Sequence, residues 1–209
     1  MGTQPALSIV EILGIATSIS LLAGWRLYFV VLVTGIAMRT GLVPLPEHLA
    51  SLQVLGNPWI MAVAAIGAFC EFFTDKIAWM DSAWDAVHTL LRPVGGALLA
   101  MAVIDPADPT TQVLAVLLGG GGALLSHTGK AGVRAIVNTS PEPISNVGVS
   151  LIEDGLIGVL MVLAFTFPVL AALVALFMAG LAIALIFIAR RVVRRLMGTP
   201  RKRPPDQPI

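Results

Sequence analysis

Asp81, Asp85, His88 and Arg92 stand at i, i+4, i+7 and i+11, the spacing of one continuous face of an α-helix. The opposite face carries Ala83, Trp84, Val87 and Leu91. Just upstream, Glu71 and Asp75 are again four apart, with Lys76 beside them. A second set follows, His127, Lys130, Arg134 and Asn138 at i, i+3, i+7 and i+11, and Asn146, Ser150 and Glu153, with Asp154 adjacent, continue the same spacing. Carboxylates in such a stripe can carry a proton or hold a cation, and imidazoles exchange protons near neutral pH. Lysine and arginine can neutralise those carboxylates or bind an anion. The first set is mainly acidic and the second mainly basic, so the two stripes are expected to pair.

Other chemistries find less support. No nucleophile stands with a base, and no full set of metal ligands is visible, so no catalytic residue is assigned and the metal question stays open. Asp81 and Asp85 could hold Mg²⁺ against a phosphate, yet the nearby Arg92 argues equally for a salt bridge. Gly129-Lys130 is no phosphate loop: Leu124 occupies the position of the required earlier glycine, and Ala131 replaces the magnesium-binding Ser or Thr. His88 and His127 read first as plain hydrogen-bonding residues. The single cysteine, Cys70, excludes an internal disulfide and a multi-cysteine metal site. Beside Gly67, Ala68 and Phe69 it reads as a small buried hydrophobe. No cofactor is expected.

The elements that carry these stripes are strongly apolar. Hydrophobic residues make up 57% of the 209-residue chain and charged residues 12%, with a mean hydropathy of +0.91. Such a chain cannot cover a soluble surface with polar groups. Since a membrane span takes roughly 20 apolar residues, about five to seven spans fit, in one domain over residues 1–189. Residues 1–8 lack a basic n-region and a small-residue cleavage site, so the N-terminus is expected to remain in the mature chain.

An apolar stretch over 9–38 is interrupted by Gly24-Trp25-Arg26, making the first segment either one long tilted helix or a broken one. Asn57-Pro58 is a helix start, with Asn as cap and Pro at the first helical position, and opens a span over 59–73. A polar stretch, 74–92, separates it from a third apolar segment that Pro93 opens and Asp105-Pro106 closes. The fourth covers 113–125, including Gly119 to Gly122, glycines read as allowing close helix approach; residues 126–146 are polar. Two more spans fit in 147–189, with a turn near Thr166-Phe167-Pro168. The expected fold class is therefore an all-α integral membrane protein of six transmembrane helices, the first broken near Gly24.

Arg190, Arg191, Arg194, Arg195, Arg201, Lys202 and Arg203 crowd the C-terminal end. This basic tail, 190–209, marks the cytoplasmic side and is expected to be disordered over its proline-rich end, 204–209. Six spans then place both termini in the cytoplasm, in the cell inner (plasma) membrane, with Lys76, Arg92, Lys130 and Arg134 facing inward. Arg39 alone departs from that pattern. The tail is also able to attract anionic lipid, but it lacks interleaved aromatics, so nucleic acid is not an expected partner. The lipid bilayer and a small-molecule or ion substrate are, and a second copy of the chain is left open.

The apolar parts 94–104 and 113–125 would extend only about 16 to 20 Å, against a hydrocarbon core of roughly 30 Å. Some of the polar residues must therefore reach into the membrane. There an unpaired charge costs at least about 2.5 to 3.5 kcal/mol, so these groups should pair or line water. Two readings follow: solvated cytoplasmic loops held by opposite charges, or a polar cavity at the junction of two related halves. The repeat itself is slight, resting on Thr74-Asp75-Lys76 beside Thr128-Gly129-Lys130.

The order of motifs resembles a known family. Glu71 with Asp75-Lys76, Asp81 and Asp85, Arg92-Pro93 with Gly96, His127 with Lys130 and Arg134, Asn138 with Ser140-Pro141, Asn146 with Ser150, and Glu153-Asp154 together resemble the bacterial and plastid membrane family of domain of unknown function 4126. Gly24-Trp25-Arg26 looks like its N-terminal element. The resemblance covers roughly residues 24–163. It implies the architecture and the choice of residues, and it supplies no reaction.

The leading expectation is a small transporter or channel-like protein, proton-coupled, with the acidic face (Glu71, Asp75, Asp81, Asp85) and the basic face (Lys130, Arg134) flanking a cytoplasm-facing cavity. Glu71 or Glu153 would be the proton or cation site, while Arg92, Lys130 and Arg134 would neutralise carboxylates or hold an anionic substrate. The alternatives are a membrane-embedded enzyme acting on lipid or isoprenoid phosphates, with Asp81 and Asp85 holding Mg²⁺ and His127 as general base, and a structural or assembly protein.

Overall fold

A computed structural model describes residues 9–41, 47–104, 109–138 and 143–197. Among them are seven α-helices and no strand: α1 Ile9–Trp25, α2 Leu27–Thr40, α3 Pro58–Thr74, α4 Ala78–Met101, α5 Pro109–Val137, α6 Pro143–Thr166 and α7 Pro168–Met197, with a 3₁₀ stretch Glu47–Gly56 before α3. Proline opens α3, α5, α6 and α7, positions where its missing N–H would have had no helical partner. Asn57 caps α3, its side chain accepting from the Trp59 amide at 2.9 Å.

Among the described residues three helices are, by length and composition, long and apolar enough to cross a membrane: Pro109–Val137, Val147–Thr166 and Leu170–Arg195. Shorter apolar helices are Ile12–Trp25, Leu27–Thr40 and Pro58–Thr74. The outward faces agree with an apolar solvent. Trp59, Phe69, Leu90, Leu98, Ile152, Leu176 and Phe187 are all more than half exposed, whereas Arg26, Arg92, Lys130 and Arg134 are among the most deeply buried side chains. That inversion of the soluble pattern is what a lipid-facing exterior and a polar interior produce.

α1 is the central post. Ile15, Ile19, Leu22 and Ala23 are buried, and the helix touches α4, α5, α6 and α7. α2 turns away to pack on α3 and the 3₁₀ stretch. The two are separated at Arg26, whose φ of −141° and ψ of 78° leave the helical region, within the Gly24-Trp25-Arg26 interruption expected from the sequence. α1, α4 and α5 come together through small residues. A Cβ on Gly24 would lie 2.2 Å from the Ala123 carbonyl oxygen, and one on Gly96 would lie 2.4 Å from Ala123 Cβ. Ser20 donates to the Gly96 carbonyl at 2.8 Å across the same contact, so the three backbones approach as closely as side chains permit.

Two boundaries differ from expectation. Pro93 does not open an apolar segment; it lies inside α4, which runs from Ala78 to Met101. The polar residues 126–137 likewise continue α5 without a break, and so do Gly119 to Gly122. Tertiary packing against α1 outweighs local preference here, which is a weak determinant of a helix buried on one side. The stripes and the apolar segments therefore belong to the same rods. α5, at 29 residues, is about 43 Å long. α7 also extends through Arg190, Arg191, Arg194 and Arg195, so the first part of the basic tail is helical. The loops expected at Asp105-Pro106 and Ser140-Pro141 and the tail beyond residue 197 lie outside the described residues.

Candidate functional site, a buried ion-pair cluster

The two stripes meet. α4 and α5 are neighbours along much of their length, and the face carrying Asp81, Asp85 and Arg92 looks onto the face carrying His127, Lys130 and Arg134, all of them buried. The cluster is built in three tiers along α4 and α5.

At the tier formed by the first turn of α4, Arg134 Nε pairs with Asp81 Oδ2 at 3.1 Å, and its Nη2 donates to the Asp75 carbonyl oxygen. Asn138 Nδ2 donates to the same Asp81 oxygen at 2.6 Å. A guanidinium forks between a side chain and a main-chain acceptor here, a geometry that lysine could not reproduce.

The middle tier centres on Asp75 and Arg26. Asp75 Oδ2 lies 2.5 Å from Arg26 Nη1 and 3.1 Å from Lys130 Nζ. Arg26 also reaches α6, with Nε 2.9 Å from Asp154, Nη2 3.0 Å from the Ser150 hydroxyl and 3.6 Å from Glu153 Oε2. Lys76 donates to the same hydroxyl at 3.3 Å and sits 3.1 Å from the centre of the Phe72 ring, close enough for a cation–π contact. Asp75 belongs to the turn between α3 and α4, outside the helices. Burial alone would raise its carboxyl, but Lys130, Arg26 and Arg134 outweigh that and hold it at about 2.

Deepest along α4 is Arg92. It donates to Glu71 at 2.7 Å, to His127 Nδ1 at 2.6 Å and, with long bonds of 3.4 Å, to Asp85 and to the Gly24 carbonyl. Because His127 Nδ1 accepts from a guanidinium, its proton is on Nε2, which faces the Asp85 carbonyl at 3.2 Å and the Thr89 hydroxyl at 3.1 Å. His88 stands on a separate branch. Its Nδ1 donates to the Trp84 carbonyl at 2.7 Å, its Nε2 accepts from the Tyr28 hydroxyl at 3.1 Å, and its ring stacks on Trp84.

Of the residues named from sequence, Glu71, Asp75, Lys76, Asp81, Asp85, Arg92, His127, Lys130, Arg134, Asn138, Ser150, Glu153 and Asp154 share this cluster, with His88 beside it. The Asn146 side chain lies outside the described residues. Burial rules out solvated loops: Asp75, Asp81, Arg92 and Lys130 are each 0% exposed. The pairing of the stripes is more packed than open. The adjoining space is a cleft of about 250 Å³ between α4 and α5, lined by Asp81, Ser82, Asp85, Ala86, Thr89, Ala131, Arg134, Ala135 and Asn138. His127 Nδ1 is engaged by Arg92, and Asp81 Oδ2 by Arg134 and Asn138. Among the described residues no group of three or more His, Cys, Asp and Glu is placed to hold a metal ion.

Arg26 was not among the site residues named from sequence, although it bridges four elements of the cluster. Its signal was present, a lone arginine inside an apolar run of some thirty residues, where an ionisable group marks a functional or structural centre. Tyr28 and Trp84 carried no such signal.

A helical bundle with membrane-type helices and a buried ion-pair cluster is the class that this fold and site define. The family model described as Domain of unknown function (DUF4126) matches residues 13–187. The chain belongs to that family, and the match extends beyond the 24–163 of the sequence resemblance at both ends. No curated protein and no solved structure matches the chain.

Proposed function

We propose that this is a multi-span inner-membrane protein with its basic C-terminal end cytoplasmic, which moves a small solute or ion and exchanges a proton at Glu153. In this reading α3 to α7 are five spans, and α1 and α2 are a hairpin in place of the expected single broken span. Gly14 lies against Ala172 and Gly24 against Ala123, so α1 runs parallel to α5 and α7. Gly35 lies against Leu55 and Met61, so α2 returns along α3, and the start of α1 is at the end opposite the basic end of α7. The basic end of α7 and the inward placement of the α3–α4 turn support the orientation.

One observation carries the reading: an unequal count of buried charges. Four buried cations, Arg26, Arg92, Lys130 and Arg134, meet five buried carboxylates, Glu71, Asp75, Asp81, Asp85 and Glu153, while Lys76 and Asp154 at the half-buried edge offset each other. Glu153 is the carboxylate left over. Its Oε2 has no hydrogen-bond partner and its nearest cation, Arg26, is 3.6 Å away and already bound to Asp75 and Asp154. An ionised carboxylate so placed is costly, and a proton removes that cost. Glu71, by contrast, is bonded to Arg92 at 2.7 Å, which turns the choice between the two glutamates toward Glu153. Because Arg26 also sits at the turn from α1 into α2, protonation of Glu153 would change the charge balance at the point joining α1–α2, the α3–α4 turn and α6. The test is proton flux in proteoliposomes under an imposed pH gradient. Glu153→Gln is expected to abolish flux while the protein still folds, and unchanged flux in the folded variant would sink the assignment.

A further inference from the structure

We infer that the last two turns of α7 bind the phosphate of an anionic phospholipid, whose acyl chains lie along the apolar turn just before them. From Leu170 to Ala189 the helix carries roughly 20 residues without a charge, about 30 Å of rise, which matches the hydrocarbon core of a bilayer. Arg190, Arg191, Arg194 and Arg195 come directly after that run. From the first to the last of them the helix rises about 7.5 Å, against about 5 to 8 Å for one headgroup layer. The four guanidinium groups therefore stand at the depth of lipid phosphates.

Direction and surroundings decide the partner. Phe187, Arg190, Arg191 and Arg194 stand at i, i+3, i+4 and i+7, with Ile188 and Arg195 on their flank, so the six share one broad face. The opposite side is occupied: Ala189 is buried, and a Cβ on Gly132 of α5 would lie 3.0 Å from Ala189 Cβ. All four arginines are exposed, and beside them Phe187 is 65% and Ile188 53% exposed. α7 contains no Asp or Glu. Every ion pair among the described residues belongs to the buried cluster, so none of them neutralises these arginines. Phosphate oxygens match the guanidinium fork two bonds at a time. A lipid also brings apolar chains to cover Phe187 and Ile188, which a free phosphate lacks. A zwitterionic headgroup carries its own cation and leaves the four charges uncompensated, whereas an anionic one offsets them. The inference needs only that α7 crosses the bilayer; neither the direction of crossing nor the proton site enters it.

The experiment is native mass spectrometry of the full chain released from detergent containing equal amounts of phosphatidylglycerol and phosphatidylcholine. Phosphatidylglycerol is expected to be retained over phosphatidylcholine by about fivefold or more. Arg190→Gln, Arg191→Gln, Arg194→Gln and Arg195→Gln together should bring the two lipids near parity, while Arg201, Lys202 and Arg203 keep the end of the chain basic. Arg194→Gln with Arg195→Gln lies beyond Ala189, so it leaves the buried contact with α5 intact and should lower the preference even where the fourfold variant fails to fold. Equal retention of the two lipids by the wild type would overturn the proposal. An undiminished preference in the folded variants would do so as well, by moving the binding to residues 201–203, and displacement of the lipid by inorganic phosphate alone would make the site one for phosphate and not for lipid. Glu153→Gln keeps all four arginines and should retain phosphatidylglycerol as the wild type does, so this inference and the proton site fail separately.

Discussion

Arg26 Nη1 lies 2.5 Å from Asp75 Oδ2, so one buried ion pair ties the break between α1 and α2 to the turn between α3 and α4. Arg26 extends the tie to α6 through Asp154 and Ser150. Removing one partner of a buried pair leaves the other uncompensated, at about 3–5 kcal/mol. Arg26→Gln is expected to lower the thermal unfolding midpoint in detergent sharply or to prevent accumulation in the membrane. The double variant Arg26→Gln with Asp75→Asn should recover part of the loss. If the double variant is no better than the single, the pair is not the link described.

Gly24 and Gly121 make a matched steric test. A Cβ at Gly24 would collide with the Ala123 backbone, whereas at Gly121 it would meet nothing within 4 Å. Gly24→Ala must push α1 from α5 and should cost about 1–3 kcal/mol as overpacking. Gly121→Ala, in a helix interior, should be neutral or stabilising by up to about 1 kcal/mol. Thermal midpoints in the same detergent compare them, and equal values would show that the close approach is not tight.

Asp75 gives a pH dependence with a definite sign. Burial pushes its carboxyl up, Lys130, Arg26 and Arg134 pull it further down, and the result is about 2 against an ordinary 3.8. A carboxyl held lower in the folded state than in the unfolded one stabilises fully above its unfolded value, and that contribution fades as pH falls toward the folded value. Between about pH 4 and pH 2 the wild type should therefore lose stability faster than Asp75→Asn, which lacks the contribution throughout. Parallel acid profiles of the two proteins would show that Asp75 is not held low.

Much of this arrangement was legible because helical spacing is a local property. Asp81, Asp85 and Arg92 fall on one face whatever surrounds them, and so do Lys130 and Arg134. The cap at Asn57-Pro58 and the turn before Pro168 follow from one or two residues each. The partners were not legible. Which cation meets which carboxylate depends on the axial offset of α4 against α5, set by contacts such as Gly96 with Gly119 and Ala123. Lys130 meets Asp75 and not Asp85 for that reason. Pro93 and the glycines of α5 looked like interruptions because their local cost is visible in sequence, while the packing that outweighs it is not.

Glu71 and Glu153 are alike in type and burial, yet should respond oppositely to the same substitution. Glu71 Oε1 takes a 2.7 Å bond from Arg92 and is that guanidinium's shortest carboxylate contact. Glu71→Gln keeps the shape but removes the charge, leaving Arg92 with the 3.4 Å contact to Asp85 as its remaining carboxylate partner; a loss of about 3 kcal/mol is expected from a broken buried pair. Glu153 is no cation's main partner, being 3.6 Å from an Arg26 held more closely by Asp75 and Asp154. Glu153→Gln removes an excess negative charge and should leave stability within about 1 kcal/mol of the wild type or raise it, since an unpaired buried charge is itself destabilising. Unfolding midpoints at neutral pH distinguish the two. A Glu153→Gln variant as unstable as Glu71→Gln would make Glu153 a structural counter-ion, and the charge imbalance would then have to be relieved at another carboxylate.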